Sequence, residues 1–276
     1  MLDVTIRDKH ADVAKAFCNR SGDGGTCLVV TQTNAEVDLL NEAIRKELIY
    51  RNLLGSPLLR LPALRPLDLT FAQKLQPQQY AGNIFVIGNR KVAGLEKNQA
   101  GRFKRAQDDS IVVEDASGVE HVIRGNQLDR VTVCEEKELE FRAEEQLQIK
   151  ANLKTGEGVR LANGSIVRLE GIDPETGDIQ VKDRQDRVLT LDPAVRMLQY
   201  GYASTSYGSQ GKTVDHVLIS DSQCKAVTNQ KEFYVSISRG RQSVAIYTTD
   251  REALRDHVQR LGDRELALDL DAERGR

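Results

Sequence analysis

Residues 204–220 read STSYGSQGKTVDHVLIS, and the fold turns on whether the GKT inside them closes a phosphate-binding loop. Such a loop has the pattern G-x-x-x-x-G-K-[ST], whose first glycine lets backbone N–H groups turn in toward phosphate. Counting back from Gly211-Lys212-Thr213, that place is held by Ser206. A phosphate-binding loop also opens a helix, with the helix N-terminus facing the anion. Here Thr213 is followed by VDHVLIS, a β-branched, apolar, strand-like run. The stretch is a loop that feeds a strand.

Outward from it, QYGYAST (199–205) and SVAIYTT (243–249) read as further strands, and NQKEFYVSISRG (229–240) as a helix leading into a loop. DREALRDHVQRLG (250–262) is an amphipathic helix capped by Asp250. The N-terminal end has the same grammar. DKHADVAKAFCNR (8–20) predicts a helix with an apolar face of Ala11, Val13, Ala14, Ala16 and Phe17. TCLVVT (26–31) is a buried strand, and TNAEVDLLNEAIRKELI (33–49) a helix on Val37, Leu40, Ile44 and Leu48, with Asn34 as N-cap. This alternation is that of a parallel α/β sheet.

Between residues 66 and 193 the text changes to short β runs: GNIFVIG, DSIVVED, VEHVIRG, RVTVCEE, then SIVRLEGI, GDIQVKD and RVLTLDP. DSIVVEDASGVEHVIRGNQL and GDIQVKDRQDRVLTLDPAV resemble one another as hairpins of a duplicated small barrel would, although hairpins in general share this grammar. EEKELEFRAEEQLQIKANLK (135–154) is charged enough to be a solvated helix or a linker. The expected organisation is an α/β domain in two parts, 1–65 and 194–262, interrupted by an inserted all-β region, with a mobile tail at 263–276.

Composition narrows the function classes. The 276 residues are 39% hydrophobic and 29% charged, a soluble globular balance, and no apolar run approaches the roughly 20 residues of a membrane span. MLDVTIRDKH is too charged for a signal peptide. Cys18, Cys27, Cys134 and Cys224 lack zinc-site spacing and read as reduced thiols of a cytoplasmic protein. A net charge of −2 gives no general attraction to nucleic acid, so any DNA contact must be local.

Ligands of open parallel sheets gather in loops beyond the carboxyl ends of strands. Thr205, Ser206 and Ser209 offer hydroxyl donors there, and Lys212, Arg239 and Arg241 offer cations suited to phosphate. In order, TCLVVTQTNAEVDLLNEAIRKEL, GYASTSYGSQGKTVD and EFYVSISRGRQSVAIYT resemble the last motifs of superfamily 1, RecD-like helicases. They are most similar to the helicase region of MobF-type conjugative relaxases, the TraI/TrwC family. The resemblance covers roughly residues 20 to 255. It implies a RecA-like domain of 2A type carrying an inserted SH3-like region of 2B type.

By the same resemblance, motif VI contributes Arg239 to the γ-phosphate of ATP, the role of an arginine finger. Motif V places Thr205, Ser206 and Tyr207 on single-stranded DNA, and Gln210, Gly211 and Lys212 on the nucleotide, with Arg241 close behind Arg239. Many relatives have histidine where Tyr207 stands, and a tyrosine can stack on a base. Thr31 and Asn34 match the family's DNA-facing loop after its first strand.

The lysine and acidic magnesium ligand of the nucleotide site belong to a first RecA-like domain that these residues do not encode. ATP with Mg would be shared with that domain, and this chain by itself should neither bind a metal nor hydrolyse ATP. His10, His121, His216 and His257 are too scattered for a relaxase metal site. The implied partners are single-stranded DNA, first-RecA and relaxase regions in the same or a separate chain, and conjugative secretion machinery, with no membrane. Two other readings stand beside this one: a vestigial helicase-like module that binds DNA or a secretion partner without motor activity, and an unrelated α/β protein with a β insertion.

Overall fold

The computed structural model of the chain describes residues 2–3, 6–22, 25–67, 69–209, 213–222 and 230–259. Gln210, Gly211, Lys212, Cys224 and the tail at 263–276 lie outside the described residues. In chain order, β1 (Leu2–Asp3), α1 (Ile6–Gly22), β2 (Cys27–Thr31) and α2 (Asn34–Tyr50) come first. The interior supplies β3 (Pro57–Pro66), α3 (Phe71–Lys74), β4 (Ile84–Gly88), β5 (Ala100–Gln107), β6 (Ser110–Asp115), β7 (Glu120–Arg124) and β8 (Val131–Arg142). It continues with β9 (Gln146–Ile149), β10 (Leu153–Lys154), β11 (Arg160–Leu161), β12 (Ile166–Ile172), β13 (Ile179–Lys182), β14 (Val188–Leu191) and β15 (Leu198–Tyr200). The last elements are β16 (Ala203–Thr205), β17 (Val214–Ser220), α4 (Gln230–Ile237), β18 (Gly240–Thr248) and α5 (Arg251–Val258).

These elements form two units. Residues up to Leu54 and from Tyr200 onward make the first, and Gly55–Gln199 the second. In the first, five strands lie in the order β1-β18-β17-β2-β16, every neighbouring pair parallel. Side chains alternate across a strand, so Val29 and Leu218 face α1 and α2, where Val13, Phe17, Leu40 and Ile44 complete a core. Leu28, Val30, Val217 and Ile219 point the other way, against Phe233 of α4. A parallel sheet covered on both faces is what the near-continuous apolar strands require.

The α2 periodicity holds, with Val37, Leu40, Ile44 and Leu48 buried. Its cap does not: Thr33 is the N-cap, its hydroxyl accepting from Glu36 N, and Asn34 is the first helical residue. In α1, Val13, Ala14, Phe17 and Cys18 are buried while Ala11 is exposed. Methyl-sized Ala11 is a weak anchor, and the i, i+4 row runs instead through Lys9, Val13 and Phe17. QYGYAST is split between β15 and β16, because the Asn41 side chain takes the N–H groups of Tyr202 and Ala203 at the break.

The second unit starts earlier and ends later than the 66–193 expected. β3 carries Pro57, Pro62 and Pro66 and was invisible as a strand, yet it pairs with β8 along its length at the edge of a six-stranded antiparallel sheet, β3-β8-β4-β5-β6-β7. Proline is tolerated on such edges. The charged stretch at 135–154 is neither helix nor linker; it is the end of β8, a turn, β9 and β10. Its carboxylates pair with cations from elsewhere in the chain, Glu140 with Arg60 of β3 and Glu136 with Arg196 of the segment before β15.

A five-stranded sheet, β14-β13-β12-β9-β15, repeats the order of β7-β6-β5-β4-β8 strand for strand. The two hairpins match bond for bond as well. Asp115 Oδ1 accepts the N–H groups of Ser117 and Val119, and Asp183 Oδ1 those of Gln185 and Arg187. The left-handed position falls at Gly118 in one turn and Asp186 in the other.

Candidate functional site

The loops that follow the strands of the α/β sheet begin at Thr31, Thr205, Ser220 and Thr248, all on its carboxyl edge. Thr205 ends β16 in register with Thr31 of β2. Its hydroxyl accepts from Gly208 N at 3.1 Å, closing a tight turn over Tyr207–Ser209. Gly208 packs closely here: a Cβ would lie 2.7 Å from Ser204 Oγ, and that hydroxyl would have to turn away. Tyr207 is thrown outward, 77% exposed, and Thr205 is half-buried.

Below this surface lies a group of hydroxyls at most 5% exposed: Thr31, Ser206, Ser209 and Ser236. Ser206 is the hub. Its backbone N donates to Thr31 O at 3.0 Å, its Oγ donates to the same oxygen at 3.4 Å, and its carbonyl accepts from Ser209 Oγ at 2.6 Å. Ser236 Oγ, from the last turn of α4, donates to Ser206 Oγ at 3.1 Å. Ser206 and Thr31, expected on DNA, thus sit inside the protein and support the loop, held there by the bonds from Ser206 to Thr31 O and from Ser236. Asn34 is exposed on the first turn of α2.

Thr31 Oγ1 finds no hydrogen-bond partner among the described residues. A buried unsatisfied hydroxyl costs about 1–3 kcal/mol. Thr31→Val, which keeps the branched shape, should therefore raise stability by about 1 kcal/mol, a Tm increase of about 2–4 °C. Differential scanning calorimetry checks it, and an unchanged or lower Tm would show the hydroxyl to be satisfied in solution.

Arg239 follows α4. Its backbone N donates to Ser236 O at 3.3 Å and its Nε to Val235 O at 3.2 Å, so the guanidinium covers the helix C-terminus and remains half-exposed. Its carbonyl accepts from Val214 N, which fixes the start of β17 to this turn. Through Ser236, the turn bearing Arg239 and the loop bearing Thr205 share one buried cluster. Arg241 is exposed, and its charge reaches Asp215. The hydroxyl and backbone N–H of Thr26 chiefly hold the Asp215 carboxyl below its usual range. α4 also presents Tyr234, 72% exposed, which the sequence reading did not single out.

A second buried network at the same edge was missed too. Glu36 Oε1 receives Lys9 Nζ at 2.6 Å, His10 Nε2 at 2.9 Å and Ser220 Oγ at 3.0 Å. Lys9 Nζ also donates to Asp221 O at 2.7 Å, and Thr248 Oγ1 donates to Asp221 Oδ2 at 2.9 Å. The signal was a charged residue, Lys9, one helical turn before Val13 on an apolar face. Among the described residues no group of three or more His, Cys, Asp or Glu could hold a metal ion, and no helix is long and apolar enough to cross a membrane.

No protein-family model matches the chain, and no curated protein matches it. Solved structures of Pif1 helicases do. One, of DNA unwinding at forked double-stranded DNA by two coordinating Pif1 helicases, is 13% identical with a TM-score of 0.42, over 99% of this chain and 52% of that one. Pif1 from Bacteroides in complex with ADP-AlF3 and single-stranded DNA is 14% identical with a TM-score of 0.29, over 98% and 50%. Pif1 from Candida albicans is 13% identical with a TM-score of 0.40, over 97% and 57%. The chain spans about half the length of these helicases.

Proposed function

We propose that the chain is the second RecA-like half of a superfamily 1 DNA helicase, holding single-stranded DNA at one loop and presenting an arginine to ATP. The observation that carries this reading is the buried contact between Ser206 and Ser236. It joins an outward-facing loop of hydroxyl and aromatic character to a turn bearing a half-exposed arginine. A motor needs such a link, because translocation requires that the DNA grip respond to the nucleotide state.

In this role Thr205 meets the DNA backbone and Tyr207 stacks on a base. Arg239 stabilises charge on the γ-phosphate, with Arg241 beside it. Gln210, Gly211 and Lys212 complete the nucleotide side. ATP with Mg would be held in the cleft against a first RecA-like domain, and hydrolysis would be that assembly's activity. The repeated five-stranded sheets fit an SH3-like 2B insertion. The motif order favours a MobF-type relaxase-helicase acting in conjugative plasmid transfer in the cytoplasm, with the secretion machinery as a partner.

Fluorescence anisotropy with a short single-stranded oligonucleotide tests the assignment of residues. Tyr207→Ala should weaken binding by the worth of one base stack, about 1–3 kcal/mol, or roughly 5- to 150-fold. Thr205→Ala should weaken it less, and Arg239→Ala should leave it within about twofold of wild type. Equal losses for Arg239→Ala and Tyr207→Ala would contradict the division of labour. Full affinity in both loop variants would remove the loop from the DNA interface.

A further inference from the structure

We infer that β7 is a docking edge for a second copy of this chain, the two strands pairing antiparallel about Val122. In each repeat the outer strand of the hairpin lies at the edge of its sheet, β7 in one and β14 in the other. The turns close with bonds from Asp115 N to Val119 O and from Asp183 N to Arg187 O. Along an antiparallel pair, backbone groups face the partner strand at every second residue. Counting from the closing bonds, His121 and Ile123 face β6, and Leu189 and Leu191 face β13. Val122 and Thr190, at matching positions, turn their N–H and C=O groups outward.

At Thr190 the protein covers its own edge. The Thr190 N–H donates to Glu157 Oε2 at 3.0 Å and its hydroxyl to Glu157 Oε1 at 2.7 Å, while its carbonyl accepts from Gly156 N at 3.0 Å. At Val122 no described residue bonds from that side. The Val122 side chain is 51% exposed, next to an equally exposed Val119. An open strand edge is a template for another strand.

The sequence of β7, EHVIR, decides which strand fits. Glu120, Val122 and Arg124 share the exposed face, and His121 and Ile123 are buried. Laid antiparallel on itself about Val122, the strand sets Glu120 opposite the partner's Arg124 and Arg124 opposite the partner's Glu120. Opposite charges facing each other across a pair of strands stabilise it, and like charges there repel. Glu120 is already held by Arg105 of β5 at 2.9 and 3.0 Å, and a carboxylate has lone pairs left for a second cation. Gln127 Oε1 takes the N–H of Arg124 at 3.0 Å, so the new ladder centres on the reciprocal Val122 bonds. The contact is small and isologous, that of a transient dimer.

Sedimentation velocity of the whole chain, over a wide range of concentration, should show reversible monomer–dimer exchange. Val122→Lys sets two ammonium groups across the axis. Arg124→Glu sets carboxylates opposite one another, and Glu120→Arg does the same with guanidinium groups. Each should weaken the dimer about tenfold or more, since the symmetry counts every change twice. An equimolar mixture of Arg124→Glu and Glu120→Arg should regain association, because every pair across the mixed strands then joins opposite charges; native mass spectrometry identifies the mixed dimer. Tm shows which variants are folded. If Glu120→Arg is not, having lost its bond to Arg105, Val122→Lys at its exposed position decides. A wild type that stays monomeric at every concentration overturns the inference, and so does a dimer that folded Val122→Lys leaves unchanged.

Discussion

Asn41→Ala is expected to lower the stability of the α/β unit by about 3–5 kcal/mol, a large part of the 5–15 kcal/mol that holds a typical domain together. Asn41 is 5% exposed on the inner face of α2. Its Oδ1 accepts the N–H groups of Tyr202 at 3.0 Å and Ala203 at 2.9 Å, and its Nδ2 donates to Tyr200 O at 3.1 Å. Those backbone groups sit where β15 gives way to β16, so the three bonds tie α2 to the break between the strands. Alanine removes three hydrogen bonds at once, two of them from the buried N–H groups of Tyr202 and Ala203, at about 1–3 kcal/mol for each group whose partner is lost, less whatever one entering water recovers. Urea denaturation measures the loss. A change below about 1 kcal/mol would mean that water replaces the amide fully. Because the same bonds set the entry into Thr205, a partly folded variant should also lose DNA binding.

Glu36→Ala should be of similar size, about 3–5 kcal/mol, because among the described residues it leaves the buried Lys9 ammonium with only the Asp221 carbonyl. The pH dependence has a definite sign. Burial pushes the Glu36 carboxyl up, but hydrogen bonds from Lys9 and His10 with their charges outweigh it, and the net value lies below the ordinary 4.5. A carboxyl whose folded value is depressed adds stability that is complete above its unfolded value. That stability is lost as the pH falls through the folded one. Wild type should therefore lose an advantage over Glu36→Gln as the pH drops below about 4.5, read from Tm across pH 3 to 7. Parallel curves for the two proteins would show that Glu36 is not ionised in the folded state.

Periodicity made much of this architecture legible. The β-branched, apolar run of VDHVLIS and the helical spacing of Val37, Leu40, Ile44 and Leu48 are local signals, and both elements formed where they pointed. The matched hairpins were legible for the same reason, since an Asx turn is written within five residues. What stayed hidden depends on partners distant in sequence. The end of β8 looked like a solvated charge run because its cations, Arg60 and Arg196, come from elsewhere in the chain. Asn41 and Lys9 lay in plain view as polar residues on apolar faces, but their acceptors and donors are set by the sheet edge. Burial of Ser206 and Thr31 is equally a tertiary fact; as text, STS is only a run of hydroxyls at a strand end.

The most direct measurement of the proposed role compares wild-type binding to a single-stranded oligonucleotide and to a duplex of the same sequence, by anisotropy, over a range of salt. A DNA-gripping motor half predicts tighter binding to the single strand and an affinity that falls linearly with the logarithm of salt concentration. No binding to either, or equal and weak binding to both, would contradict it.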